Sequence, residues 1–244
     1  MEYVKSFSDI RYGLDKSNTN TQFPLLCVYC GKLATNGKGD HVPAKCFLHK
    51  PYPAGEETLV TVPSCVQCNN KTSLDEEYTA FAFKYTKYGD SNEVHSFPHY
   101  EILKKRLLSN VQCGFEQDVI VLESDRIERV LSKYAYALGR YECSVDIDNT
   151  PDYFDFGHIR DMTLEQTKSF NSIKTLGNIL PEIGTRVSQM LLIDIYNDNA
   201  QVIVNWKTVQ DKVFRYIAFI NDESVDVKMV FEEMYYTEAI FAQL

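Results

Sequence analysis

Cys27-Val28-Tyr29-Cys30, Asp40-His41-Val42-Pro43 and Cys65-Val66-Gln67-Cys68-Asn69 are the segments on which the reading of this chain turns. Two residues between paired cysteines let one turn present both sulfurs to the same ion, and a second pair completes a tetrahedron. With 34 residues between the pairs, the spacing predicts a structural zinc site of Cys27, Cys30, Cys65 and Cys68. Four thiolates leave no open position, so this zinc does no chemistry itself. Its effect is to tie the Cys27 turn to the Cys65 turn and to fix the segment between them, which carries Asp40 and His41. An Asp carboxylate is a hard oxygen ligand suited to Mg2+ or Mn2+. Neutral His is a base that titrates near working pH. Neighbours on an extended segment face opposite ways, so one can meet an ion while the other addresses a water. The bland alternative makes both residues hydrogen-bonding parts of the fold and nothing more.

The chain has 244 residues, 44% hydrophobic and 13% aromatic, which is enough for a globular protein with a sizeable core. No apolar run approaches the roughly 20 residues that span a bilayer. The opening Met1-Glu2-Tyr3-Val4-Lys5 lacks the basic-then-apolar order of a signal peptide. The expectation is a cytoplasmic protein with no membrane partner. Seven cysteines, four of them in CxxC pairs, favour zinc over disulfides in a reducing compartment. Cys46, Cys113 and Cys143 are then free thiols.

The net charge of −9 is unevenly spread: residues 1–110 carry 13 basic and 12 acidic side chains, residues 111–244 carry 12 and 22. A near-neutral first part with a local basic surface can grip phosphates. The acidic second part opposes loose binding to DNA and faces water or a basic partner.

Residues 1–24 read as a flexible N-terminal arm, 25–90 as the metal-bearing domain and 91–244 as an accessory domain of helices and an antiparallel sheet. Asn36-Gly37-Lys38-Gly39 predicts a turn between the first cysteine pair and Asp40. Leu59–Val62 has strand character. Ser73-Leu74-Asp75-Glu76 fits a capping box opening a helix that Gly89 ends. Tyr100–Val111, Asp125–Arg140 and Thr163–Ile173 are predicted helices; in the second, Ile127, Val130, Leu131, Tyr134 and Leu138 recur at helical spacing and Gly139 loosens its end. Leu191–Tyr196, Gln201–Trp206, Val213–Ile220 and Val225–Phe231 predict strands of the antiparallel sheet. The class is α+β.

Cys-x-x-Cys at Cys27/Cys30, Asp-His-Val-Pro at Asp40–Pro43, Val-Pro-Ser-Cys-x-x-Cys-Asn at Val62–Asn69 and Ser-x-Asp-Glu-Glu-Tyr at Ser73–Tyr78 together resemble an HNH endonuclease of the ββα-metal type. The specific match covers about residues 25–80. A weaker one runs through Arg129–Lys133 to Gly139 and the aromatic strands. The resemblance implies a β-hairpin and helix gripping one divalent ion, Mg2+ or Mn2+, beside the zinc. It implies His41 as the general base that activates water, and Asp40 and Asn69 as ligands of the catalytic ion. Thr58 stands closest to the family's central polar residue that orients the base; it keeps a hydroxyl and lacks the family's amide.

Asp75, Glu76 and Glu77 are helix-start carboxylates or further ligands. Lys45 and Lys71 are surface lysines or phosphate contacts. His49, His95, His99 and His158 are taken as structural. The implied substrate is DNA, most readily double-stranded, with a role in bacterial restriction or anti-phage defence. A partner ATPase or other targeting subunit is the implied partner. Two other functions are carried beside this one: a non-catalytic zinc-bound module that binds nucleic acid or protein, and an RNA-cleaving toxin-like effector.

Overall fold

A computed structural model of the chain describes residues 26–53, 59–112, 119–143, 145–171, 191–196, 199–204, 206–221 and 223–244. The expected N-terminal arm, Thr58 and Cys113 lie outside the described residues. In chain order the elements are β1 (Asn36–Val42), β2 (Val60–Ser64), α1 (Val66–Lys71), α2 (Ser73–Tyr88), α3 (Asn92–His95), α4 (Tyr100–Leu108), β3 (Val111–Gln112), β4 (Val119–Ile120) and α5 (Ser124–Cys143). There follow β5 (Tyr153–His158), α6 (Leu164–Phe170), β6 (Leu191–Tyr196), β7 (Asn199–Val204), β8 (Lys207–Gln210), β9 (Phe214–Asn221), β10 (Ser224–Phe231) and β11 (Tyr235–Ala242). The chain is α+β, as its sequence implies.

β1 and β2 pair antiparallel, with Asp40 opposite Val62, His41 opposite Thr61 and Val42 opposite Val60. Strand alternation therefore sends Asp40 and Val42 inward, where both are buried, and leaves His41 half-buried on the other face. The turn expected at Asn36–Gly39 is instead part of β1. The register shifts between Asn36 and Asp40, so this stretch bulges against β2 rather than reversing the chain. The Asn36 side-chain amide closes the bulge by donating to the Gly39 carbonyl at 2.6 Å and to Ser64 Oγ at 3.3 Å.

Gly39 has φ +69°, and a Cβ there would lie 2.7 Å from Thr61 Cγ2 and 2.8 Å from the Val62 carbonyl oxygen. Both facts demand glycine. Gly39→Ala is expected to lower stability by about 1–3 kcal/mol, read as a lower urea midpoint; an unchanged midpoint would contradict this close approach.

α2 begins after Thr72, not at a Ser73 cap. The predicted capping box is absent: Ser73 Oγ donates to the Asn70 carbonyl at 3.0 Å, and the Thr72 hydroxyl donates to Glu76 Oε1 at 3.1 Å. Glu76 is drawn away from the helix end by the Lys133 ammonium, 2.7 Å from the same oxygen. A charge-assisted bond inside the protein outcompetes a cap at the helix end. Tyr78, Ala80, Phe81, Ala82 and Phe83 are all buried, so α2 is enclosed on most sides rather than lying on a surface. Gly89 ends it with φ +60°, as its position predicts.

α5 carries the predicted stripe of Ile127, Val130, Leu131, Tyr134 and Leu138, all buried. It does not loosen at Gly139 but runs on to Cys143. The reason is packing: a Cβ on Gly139 would stand 3.1 Å from Val225 Cγ1 and 3.2 Å from Val227 Cγ2, so glycine lets the helix lie close on β10.

The main sheet is antiparallel, in the order β5-β11-β10-β9-β8. Two of the four predicted strands, β9 and β10, belong to it. The other two, β6 and β7, pair with each other as a separate ribbon. β5, β8 and β11 complete the sheet.

α5 contacts this sheet on one side and α2 and the β1–β2 hairpin on the other. One buried core runs from hairpin to sheet through Val42, Val62, Phe83, Tyr134 and Phe231. Phe47 joins the two ends, its ring 5.5 Å from Tyr134 and 5.3 Å from Phe231. Residues on both sides of the boundary expected at 90 contribute to this core.

Candidate functional site: a four-cysteine centre beside Asp40 and His41

The two cysteine pairs meet at the open end of the hairpin. The first sits in a turn before β1, closed by the Gly31 amide donating to the Cys27 carbonyl at 2.9 Å. The Val28 amide donates to the Pro63 carbonyl at 2.9 Å, which docks this turn on β2. The second pair follows β2 directly, with Cys65 as the cap of α1 and its sulfur accepting from the Cys68 amide at 3.3 Å.

All four sulfurs lie within 4.8 Å of one another, and Cys30 Sγ is 3.8 Å from Cys65 Sγ. Tetrahedral zinc with Zn–S of about 2.3 Å places its sulfurs about 3.8 Å apart. The donor set is soft and complete, so the residues present fit a zinc ion. The Cys68 amide pulls the Cys65 thiol down to about 7, while burial pushes Cys27 and Cys68 up. Cys46 has no such company, and burial pushes its thiol up to about 12. It has the character of a structural thiol.

His41 stands on the outer face of β1, its Nδ1 2.9 Å from Thr61 Oγ1 across the hairpin. Thr61 therefore orients the ring from across the hairpin; Thr58, for which the resemblance implies that role, lies outside the described residues. The signal for Thr61 was the single polar position in Leu59-Val60-Thr61-Val62, which strand alternation places beside an outward residue of the partner strand.

Asp40 points inward and is 5% exposed. Its Oδ2 accepts from the Tyr29 hydroxyl at 2.8 Å and lies 2.8 Å from Lys133 Nζ. Both of these contacts are made by Oδ2. Lys133 also lies 2.7 Å from Glu76 Oε1 and donates to Thr72 Oγ1 at 3.0 Å. Burial works against its charge, but the attraction of Asp40 and Glu76 outweighs it and raises the ammonium above its ordinary range. One lysine of α5 thus joins β1 to α2. It could have been singled out as a lone cation between Val130 and Tyr134 on an apolar helix face.

Lys133→Met is expected to cost about 3–5 kcal/mol, because it leaves two buried carboxylates without a counter-charge. Thermal melting checks this, and adding Glu76→Gln to Lys133→Met should recover part of the loss. Equal melting of Lys133→Met and the parent would contradict the described ion pairs.

Asn69 lies on α1, one residue after the last cysteine, and α1 packs against β1. Its backbone amide is spent on the Cys65 carbonyl at 3.0 Å. The helix-start carboxylates are already partnered: Asp75 by Arg126 and Arg129, Glu76 by Lys133, and Glu77 by His99 at 2.9 Å. Lys45 and Lys71 are exposed.

The other histidines have local partners. His49 bridges Glu93 and Glu232, His95 meets Asp90, and His158 Nδ1 accepts from the Arg160 amide. No described helix is long and apolar enough to cross a membrane. Comparison with known families, characterised proteins and solved structures gives no match for this chain.

Proposed function

We propose that this chain is a metal-dependent endonuclease of the HNH, ββα-metal kind that hydrolyses phosphodiester bonds in DNA. The observation that supports it most is one arrangement. A four-sulfur centre anchors the open end of an antiparallel hairpin, and that hairpin presents His41 and Asp40 at successive positions ahead of a helix carrying Asn69.

His41 is the general base. Nδ1 lies 2.9 Å from the Thr61 hydroxyl, and in the tautomer that donates Nδ1–H to it Nε2 would be the nitrogen that takes the proton of the attacking water. Tyr29 and Lys133 hold Asp40 by one oxygen, which keeps the other aimed consistently. Asp40 Oδ1 and the side-chain oxygen of Asn69 are hard donors that fit Mg2+ or Mn2+. When bound, such an ion would supply charge stabilisation at the scissile phosphate and the leaving oxygen. Double-stranded DNA is the proposed substrate, in the setting of bacterial restriction or anti-phage defence. The acidic second part of the chain would meet a targeting partner.

The test is plasmid cleavage by purified, zinc-loaded protein. Nicked or linear product in Mg2+ or Mn2+, and none in their absence, is the expected result. Structured RNA as the better substrate would move the activity to RNA. A second reading draws on the burial of Asp40 against Lys133: a structural ion pair in a non-catalytic zinc module. Duplex bound but left intact with either ion would select that reading.

A further inference from the structure

An open pocket of about 530 Å³ lies between the start of α2, the end of α4 and the start of α5. Three arginines, Arg106, Arg126 and Arg129, converge on it, with Asp75, Glu123 and Asp125 between them. Their states differ. Arg126 is largely buried: its Nε is 2.6 Å from Asp75 Oδ1, its Nη2 donates to the Leu74 carbonyl at 2.7 Å, and its guanidinium lies 4.4 Å from the Tyr78 ring centroid. It is a fixed part of the wall.

Arg129 and Arg106 have side chains 53% exposed. Arg129 gives only Nε to Asp75, at 3.0 Å, and Arg106 gives Nε and Nη2 to Glu123. Both Nη atoms of Arg129 and Nη1 of Arg106 take no partner among the described residues. Each guanidinium is therefore oriented by a carboxylate on one edge and offers donors on the other, a fork suited to phosphate oxygens.

The pocket also shares α5 with the lysine that pairs with the hairpin. Arg126, Arg129 and Lys133 follow one face of α5 at spacings of three and four residues, and Lys133 touches Asp40. A rise of 1.5 Å per residue puts Arg129 and Arg126 roughly 6 and 10 Å along the helix from Lys133. In a chain of net charge −9, a polyanion needs a local gathering of cationic donors to be held.

We infer that Arg129 and Arg106 form a backbone-phosphate subsite for the nucleic-acid strand, separate from the phosphate at His41. The inference rests on the endonuclease reading and adds to it where the strand runs.

The test uses full-length, zinc-loaded protein carrying His41→Ala, so that duplex stays intact in Mg2+. Affinity for a labelled duplex is measured against salt concentration, with Arg129→Gln and Arg106→Gln added singly and together. Arg126 is kept so that Asp75 retains its buried partner, and Arg160→Gln on an exposed segment outside the pocket is the charge-matched control. Each lost phosphate contact should lower the salt slope by about 0.9, and the pair by about 2, with at least roughly tenfold weaker binding. The control should match its parent.

Unchanged affinity and slope in the double variant, while the parent binds duplex, would overturn the subsite and leave the endonuclease reading standing. A parent that binds no duplex would overturn both. If excess inorganic phosphate at matched ionic strength erased the difference between parent and variant, the pocket would be a small-anion site and the backbone assignment would fall.

Discussion

His41→Ala is expected to remove metal-dependent cleavage, by about 10²–10⁴-fold, the usual contribution of a positioned general base. The fold should survive. The ring is half-buried on the outer face of β1, away from the core that Asp40 and Val42 enter, and its anchor is the hydroxyl of a surface-facing threonine. Zinc content and melting temperature therefore stay near those of the parent while nicking of plasmid is lost. Thr61→Val should show a smaller loss in kcat with binding of duplex intact, since it frees the ring without removing the base. Full activity in His41→Ala would refute the base assignment. A parallel collapse of the melting temperature would instead make this histidine a structural residue.

Cys65→Ser should act on structure. Apparent binding energies of four-ligand structural zinc reach about 10–16 kcal/mol and are realised as folding energy. Cys65 is the cap of α1, receives the Cys68 amide and stands 3.8 Å from the Cys30 sulfur. Exchanging its sulfur for a hydroxyl weakens both the ion and the helix start. Loss of one zinc per chain, loss of amide protection over β1 and β2, and a large drop in melting temperature are expected together. Chelation of the wild-type protein should reproduce them. Unchanged metal content and melting temperature would show that the four sulfurs hold no ion.

Local spacing made the metal centre legible. Two CxxC pairs require only that two turns come together, and the hairpin between them does that. The opposed directions of Asp40 and His41 were likewise readable, because alternation is a property of any strand. What sets the ring of His41 was not readable in the same way. Thr61 depends on the pairing register, and register depends on the bulge at Asn36–Gly39, which as a string of residues looks like a turn. Lys133 reaches Asp40 only once α5 has crossed the hairpin, a contact between distant parts of the chain. The same limit applies to β5 and β11. Tyr153–His158 contains Asp155 and Gly157, poor strand formers, and becomes a strand by pairing with Tyr235–Ile240, far along the chain.

The double attachment of α5 bears on how this protein can be cut or grafted. One end of the helix meets Asp75 through Arg126 and Arg129, its middle neutralises Asp40, and Gly139 beds it on β10. A fragment stopping after the zinc hairpin and α2 would therefore keep every motif yet lose the ammonium that lets an acidic group sit in its interior. Transplanting the motif-bearing segment onto another scaffold calls for a replacement helix with a lysine at the same height.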